Sequence, residues 1–90
     1  MALFVLSYDL RNERIYQPLY DELARFRAVR VLESCWCFNY AGGEAVRLRE
    51  HFRRFMDGDD GVFVAQIANI NDTSQWAGFR LAASPNQLNV

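Results

Sequence analysis

Ninety residues with 51% apolar and 14% aromatic side chains bound a single small domain with enough apolar surface for a core. A net charge of −1 excludes a domain wrapped in a global basic field. No apolar run approaches membrane length, and a chain this rich in apolar residues has surface to spare for a partner, so a homodimer is expected.

The chain opens MALFVLSYDL. Phe4 to Tyr8 is a continuous run of strand formers interrupted only by Ser7, the pattern of a central strand. Asp9 then falls where that strand leaves the core. It is either the first residue of a turn or a helix cap, or a carboxylate that a site holds in place. LRNER follows as a polar loop carrying Arg11 and Arg14. From Tyr16 to Phe26 the period becomes helical, with Tyr16, Leu19, Tyr20, Leu23 and Phe26 on one face and Pro18 in the first turn.

AVRVLESCWCFNY is extended again and too long for one strand, so a kink or bulge near Glu33-Ser34 is expected to split it. Glu33 interrupts the alternation. Either it marks the kink or it is buried against an Arg. AGG ends the run, and a second helix is expected from Glu44 to about Met56. Ala45, Leu48, Phe52 and Phe55 fall on its inner face, and Arg47, Glu50, His51 and Arg54 on its outer face. DGDDG reads as a turn, since it lacks the alternating acidic spacing and distal Glu of a calcium-binding loop. VFVAQI is a further strand. ANINDTSQ is loop-like, and WAGFRL is a short strand or a docking segment. Trp36 and Trp76 are expected as core or interface anchors. The domain is expected to span 1–80, with 81–90 a frayed tail.

All ten basic residues are Arg, and Arg47, Arg49, Arg53 and Arg54 fall within eight positions. Such a row either tracks a phosphate backbone or forms a solvated face paired locally, with Glu50 placed to meet Arg53 and Arg54. His51, the single histidine, is expected on the helix surface because no acidic partner presents itself. Cys35 and Cys37 point to one side of a strand, do not suit a mutual disulfide and supply too few ligands for a zinc site. They read as small buried hydrophobes in a reducing cytosol. The N-terminus lacks a signal-peptide pattern, so a soluble cytoplasmic protein is expected, without a membrane.

The element order is β-α-β-β-α-β. It is the α+β, ferredoxin-like pattern, an antiparallel sheet with both helices on one face. The other face then needs cover, from a second copy or from the C-terminal segment, which is available to pair with a partner subunit.

These residues resemble a known family. FVLSYDL, a helix, RVLESCWCF, a basic helix and DDGVFV are similar to the small CRISPR-associated endoribonuclease, a ferredoxin-like dimer that partners the CRISPR integrase, and to its stand-alone SinR-like and VapD-like relatives. The resemblance covers roughly Leu3 to Ile67. Tyr8-Asp9 matches the family's strand-end motif of an aromatic followed by Asp. Arg30, Ser34 and Trp36 match its Arg–Ser–aromatic order.

The resemblance implies that two Asp9 side chains meet across a two-fold and hold one divalent metal. Mg²⁺ suits carboxylate ligands and would activate water for phosphodiester attack. Tyr8 would stack a base or orient Asp9, and otherwise is core with its hydroxyl at the edge. Ser34 would contact phosphate or a metal-bound water, and otherwise is a strand serine beside a bulge. Arg11, Arg14, Arg30, Arg47 and Arg54 would contact RNA or DNA. LRNER departs from the Arg- and Lys-dense loop of many members. Some members are ribonucleases and others scaffolds, so a non-catalytic dimeric interaction module stands beside the nuclease.

Overall fold

The computed structural model describes residues 2–11 and 16–88; Arg14 lies outside the described residues. Strand β1 (Ala2–Asp9) is followed by helix α1 (Gln17–Arg25), strands β2 (Val29–Leu32) and β3 (Cys35–Tyr40), helix α2 (Ala45–Arg53) and strand β4 (Gly61–Ile67). A single 3₁₀ turn follows at Pro85–Leu88. The fold is α+β, with one four-stranded sheet in the order β2-β3-β1-β4 and antiparallel pairing throughout.

The apolar run of β1 predicts an inner strand, and β1 is flanked by β3 and β4. Its alternation separates two layers. Phe4 and Leu6, facing Phe38 and Trp36 across the β3 ladder, lie on one side. Together with Tyr8 they form a core with Leu19 and Leu23 of α1 and Leu48 and Phe52 of α2, so both helices cover this face. Phe26 is the hub. Its ring lies 5.2 Å from Phe38, 5.0 Å from Phe52 and 5.3 Å from Tyr40. Full burial of Phe38 and of Phe52 contributes about 1.5–3 kcal/mol each.

The helices are shorter than their periodicity. Tyr16 and Phe26 flank α1 as its caps. Beyond α2 the chain tightens, with Arg54, Phe55 and Met56 donating to the carbonyls three residues back. Such bonds satisfy orphan carbonyls at a helix end without extending it. Helix α1 closes in a Schellman arrangement, with Arg27 N–H donating to Ala24 O (2.9 Å) and Ala28 N–H to Leu23 O (3.0 Å). Arg27 takes φ 55°, the left-handed conformation that glycine usually supplies.

The long extended run is a hairpin. Glu33 and Ser34 form its turn, and the register irregularity falls upstream, between Arg30 and Leu32. Glu33 is exposed in that turn, which resolves the broken alternation in favour of a chain reversal.

The second face buries Leu3, Val31 and Cys37, and Ile70, Leu81 and Leu88 cover them. Residues 81–88 therefore pack rather than fray. Ala82 N–H donates to Val31 O (2.9 Å), and the Asn39 amide donates to Leu88 O (2.6 Å). WAGFRL forms no strand. The cluster takes in Ile67 of β4, but Phe63 on the same strand remains 64% exposed. Cys35 and Cys37 are free, and burial, aided by the neighbouring Cys35, pushes the Cys37 thiol up to about 11. No helix among the described residues is long and apolar enough to cross a membrane.

Two outcomes follow from this packing. Arg27→Gly relieves a left-handed non-glycine residue at a cost of about 1 kcal/mol, and should raise the melting temperature by roughly 4–8 °C in a thermal scan. Truncation after Arg80 uncovers the second face and should speed labelling of Cys37 by a thiol reagent at least severalfold. Unchanged labelling would mean that residues 81–88 do not protect it.

Candidate functional site

At the end of β1 a cleft of about 250 Å³ is lined by Tyr8, Asp9, Tyr20, Arg30, Glu33 and Ser34, with Leu10 at its edge. The hairpin turn builds its floor. Tyr8 N–H donates to Ser34 O (3.1 Å), tying β1 to the turn. Trp36 Nε1–H donates to the Tyr8 hydroxyl (3.1 Å), which donates to Glu33 O (3.3 Å). Burial raises the Tyr8 phenol above its ordinary value against the opposing bond from Trp36, so it is a protonated donor at neutral pH. Tyr8 thus holds β1 and the hairpin together.

Arg30 closes the turn from above. Its Nε–H donates to Glu33 O (2.8 Å), as does Nη2. Its guanidinium lies 5.2 Å from the Tyr20 ring centre and 5.2 Å from that of Trp36. The two rings stack 6.2 Å apart, so one cation serves an α1 aromatic and a β3 aromatic together.

Asp9 is the polar end of the cleft, its side chain 75% exposed and 3.4 Å from Arg11 Nε. A pair this open contributes about 0–1 kcal/mol and leaves the carboxylate accessible. Its partner across the β4 ladder is Gly61. A Cβ there would lie 3.3 Å from Arg11 Nη2, so the glycine makes room for that guanidinium. Asp60 ties the same loop down. It accepts from Arg11 N–H (3.0 Å), the Tyr16 hydroxyl (3.3 Å) and Asp57 N–H (2.9 Å). The carboxylate oxygens of Asp57, Asp59 and Asp60 lie within 4.8 Å of one another, a spacing a cation could bridge, although exposed acidic groups often sit this close without one. The bonds accepted by Asp60 agree with the turn expected for DGDDG.

The structure therefore brings Tyr8, Asp9, Arg30 and Ser34 into one cleft and sets Arg11 beside it. Arg47 and Arg54 lie with α2 and do not line it. Arg47 stands 4.0 Å from Glu44. Glu50 pairs with the expected Arg53 (3.2 Å) and with Arg49 (2.9 Å), and among the described residues not with Arg54. These bonds, that from Arg49 foremost, hold the Glu50 carboxyl below its ordinary range.

One pair escaped the sequence reading. His51 is turned toward α1, its side chain 32% exposed, and its Nε2–H donates to Glu22 Oε2 (2.6 Å), while Arg25 Nη1–H donates to Glu22 Oε1 (2.8 Å). The expected surface histidine is instead a link between the helices. The signal was present in α1, where Glu22 follows Leu19 by three residues inside the apolar stripe, a position that demands a buried partner. Burial pushes the Glu22 carboxyl up, but the His51 bond and the Arg25 charge outweigh it and hold the group below its ordinary value. No protein-family model matches the chain.

A depressed carboxyl stabilises the fold above its unfolded value and loses that contribution as pH falls through the folded one. Glu22→Gln should therefore melt several degrees below the wild type at pH 7, and the gap should narrow as pH drops below about 4.3. Melting curves from pH 7 to below the carboxylate range check this. A gap that does not depend on pH would remove the charge from the explanation.

Proposed function

We propose that the chain is a homodimer of ferredoxin-like architecture that binds nucleic acid at the Asp9 end of the sheet and cleaves phosphodiesters there with Mg²⁺, resembling the small CRISPR-associated endoribonuclease and its stand-alone relatives. The β-α-β-β-α-β order and the β2-β3-β1-β4 sheet support the architecture. The observation that carries the function is an exposed carboxylate on the central strand, in the same cleft as Arg30 and Ser34.

An open carboxylate fits Mg²⁺, which takes oxygen ligands and keeps several waters. A single Asp9 is a thin ligand set, and a second from the partner subunit would complete it. The bound metal would supply an activated water for attack on phosphorus. Arg11 and Arg30 would hold the phosphate, Ser34 would donate its hydroxyl to a phosphate oxygen, and Tyr8 would position the strand end. Arg47 and Arg54 would meet more distant phosphates. RNA and DNA remain alternative substrates, and a CRISPR integrase is the protein partner to test by co-purification.

A second reading rests on the charge layout. Arg30 is engaged by Glu33 O and two rings, and Glu44 and Glu50 neutralise much of the α2 row. Among the described residues, Arg11 is the one basic group beside the cleft whose charge is not so engaged by carbonyls and rings, which favours a dimeric interaction module without catalysis.

Labelled RNA and DNA incubated with and without Mg²⁺ separate the two. The nuclease reading expects metal-dependent products and a loss of at least about a hundredfold in Asp9→Ala. No product from either protein, with the dimer intact by light scattering, leaves the interaction module. A monomer at micromolar concentration would remove both.

A further inference from the structure

At the opposite end of the sheet lies a second cleft of about 430 Å³, lined by Glu22, Arg25, Phe26, Arg27, Tyr40 and His51. Small-ligand sites span about 300–1,000 Å³. The cleft is cationic. Glu22 is its one carboxylate, and both oxygens are committed, to Arg25 and to His51. Arg27 has no ion pair or hydrogen bond from its side chain among the described residues. His51, engaged through Nε2, keeps Nδ1 for another partner.

Two features go beyond an excess of charge. Arg27 is held at φ 55°, at the helix-closing position where glycine costs least. The backbone there needs only the left-handed turn, and what arginine adds is a guanidinium. Tyr40 is 41% exposed, an aromatic ring lining the cleft and tilted 31° against Phe26, with Gly43 close against its Cδ2 edge. A planar group laid on Tyr40 would have guanidinium groups beside it. Arginine matches phosphate oxygens with a planar fork, and an exposed aromatic matches a nucleobase by stacking.

We propose that this cleft is a nucleotide-binding site, with the base laid on the Tyr40 ring and the phosphate held by Arg27 and Arg25. Buried Glu22 holds Arg25 and His51 in place, which organises the cleft before the ligand arrives. Only Arg27 then has to commit its side chain on binding. The site is separate from Asp9 and stands whether or not the chain cleaves nucleic acid.

Adenosine monophosphate titrated into the isotope-labelled full chain, followed by amide and histidine resonances, is the test. The expected result is a saturable shift at Arg27, Tyr40 and His51, with Tyr8 and Asp9 unmoved. Adenosine and inorganic phosphate should each bind at least roughly tenfold more weakly, since each keeps only half of the contacts. Arg27→Gly should weaken the nucleotide by roughly tenfold or more. It removes the guanidinium and relieves the backbone, so a melting temperature at or above that of the wild type excludes unfolding as the cause. Tyr40→Leu should weaken the nucleotide and leave phosphate unchanged. No shift at millimolar nucleotide, unchanged affinity in Arg27→Gly, phosphate binding as tightly as the nucleotide, or shifts confined to Tyr8 and Asp9 would each overturn the proposal.

Discussion

β1 is hydrogen-bonded on both edges and apolar on both faces. A strand of that kind cannot be left half-covered. Exposing either face would return several large side chains to water, at about 25 cal/mol per Å² of apolar surface. The two-layer cover follows. Helices α1 and α2 lie over Phe4, Leu6 and Tyr8, and the C-terminal segment lies over Leu3 and its neighbours. Apart from Ser7 the strand is apolar until its last residue, Asp9. The burial that shapes the core therefore also delivers a carboxylate to an open end, next to the hairpin turn that packs on Tyr8.

The hairpin turn and the cleft are one piece of structure. Glu33 O receives Arg30 and the Tyr8 hydroxyl, and Ser34 O receives the Tyr8 amide. Two carbonyls of one turn thus collect donors from two strands, β1 and β2, and Trp36 and Tyr20 close the other side of Arg30. A guanidinium bound in this way is precise in position and partly spent in charge. It orders the cleft more than it charges it.

The two ends of the sheet differ in charge. Asp9 and the aspartates of the loop before β4 make the first end acidic, whereas Arg25, Arg27 and His51 gather at the other around one buried carboxylate. Glu22 organises the second end. A carboxylate inside an apolar stripe is tolerable only when charged hydrogen bonds replace the lost water, and here a guanidinium and an imidazole do so. The same bonds join α1 to α2 over the Phe26 cluster, so charge and packing at this end are one unit.

Periodicity alone determined the element order, the inward faces of both helices and the inner position of β1, because apolar alternation at two or at three and four residues is a local property of the chain. Asp9 was legible as a strand-end carboxylate, and Tyr8, Arg30 and Ser34 as its companions through a short motif. Tertiary structure alone decided the rest. Whether Glu33 was a kink, a buried charge or a turn depended on where Arg30 and Tyr8 came to lie. The need to cover the second face was legible, with a second copy or the C-terminal segment as the alternatives, but which residues of that segment dock was not, until Val31 and Asn39 supplied partners at Leu81 and Leu88. His51 had no acid placed to meet it on its own helix, where the adjacent Glu50 pairs with Arg49 and Arg53, and Glu22, 29 positions earlier, met it only when the two helices packed side by side. Long-range pairs of this kind leave no period behind them, since their geometry exists only once the sheet has brought the helices together.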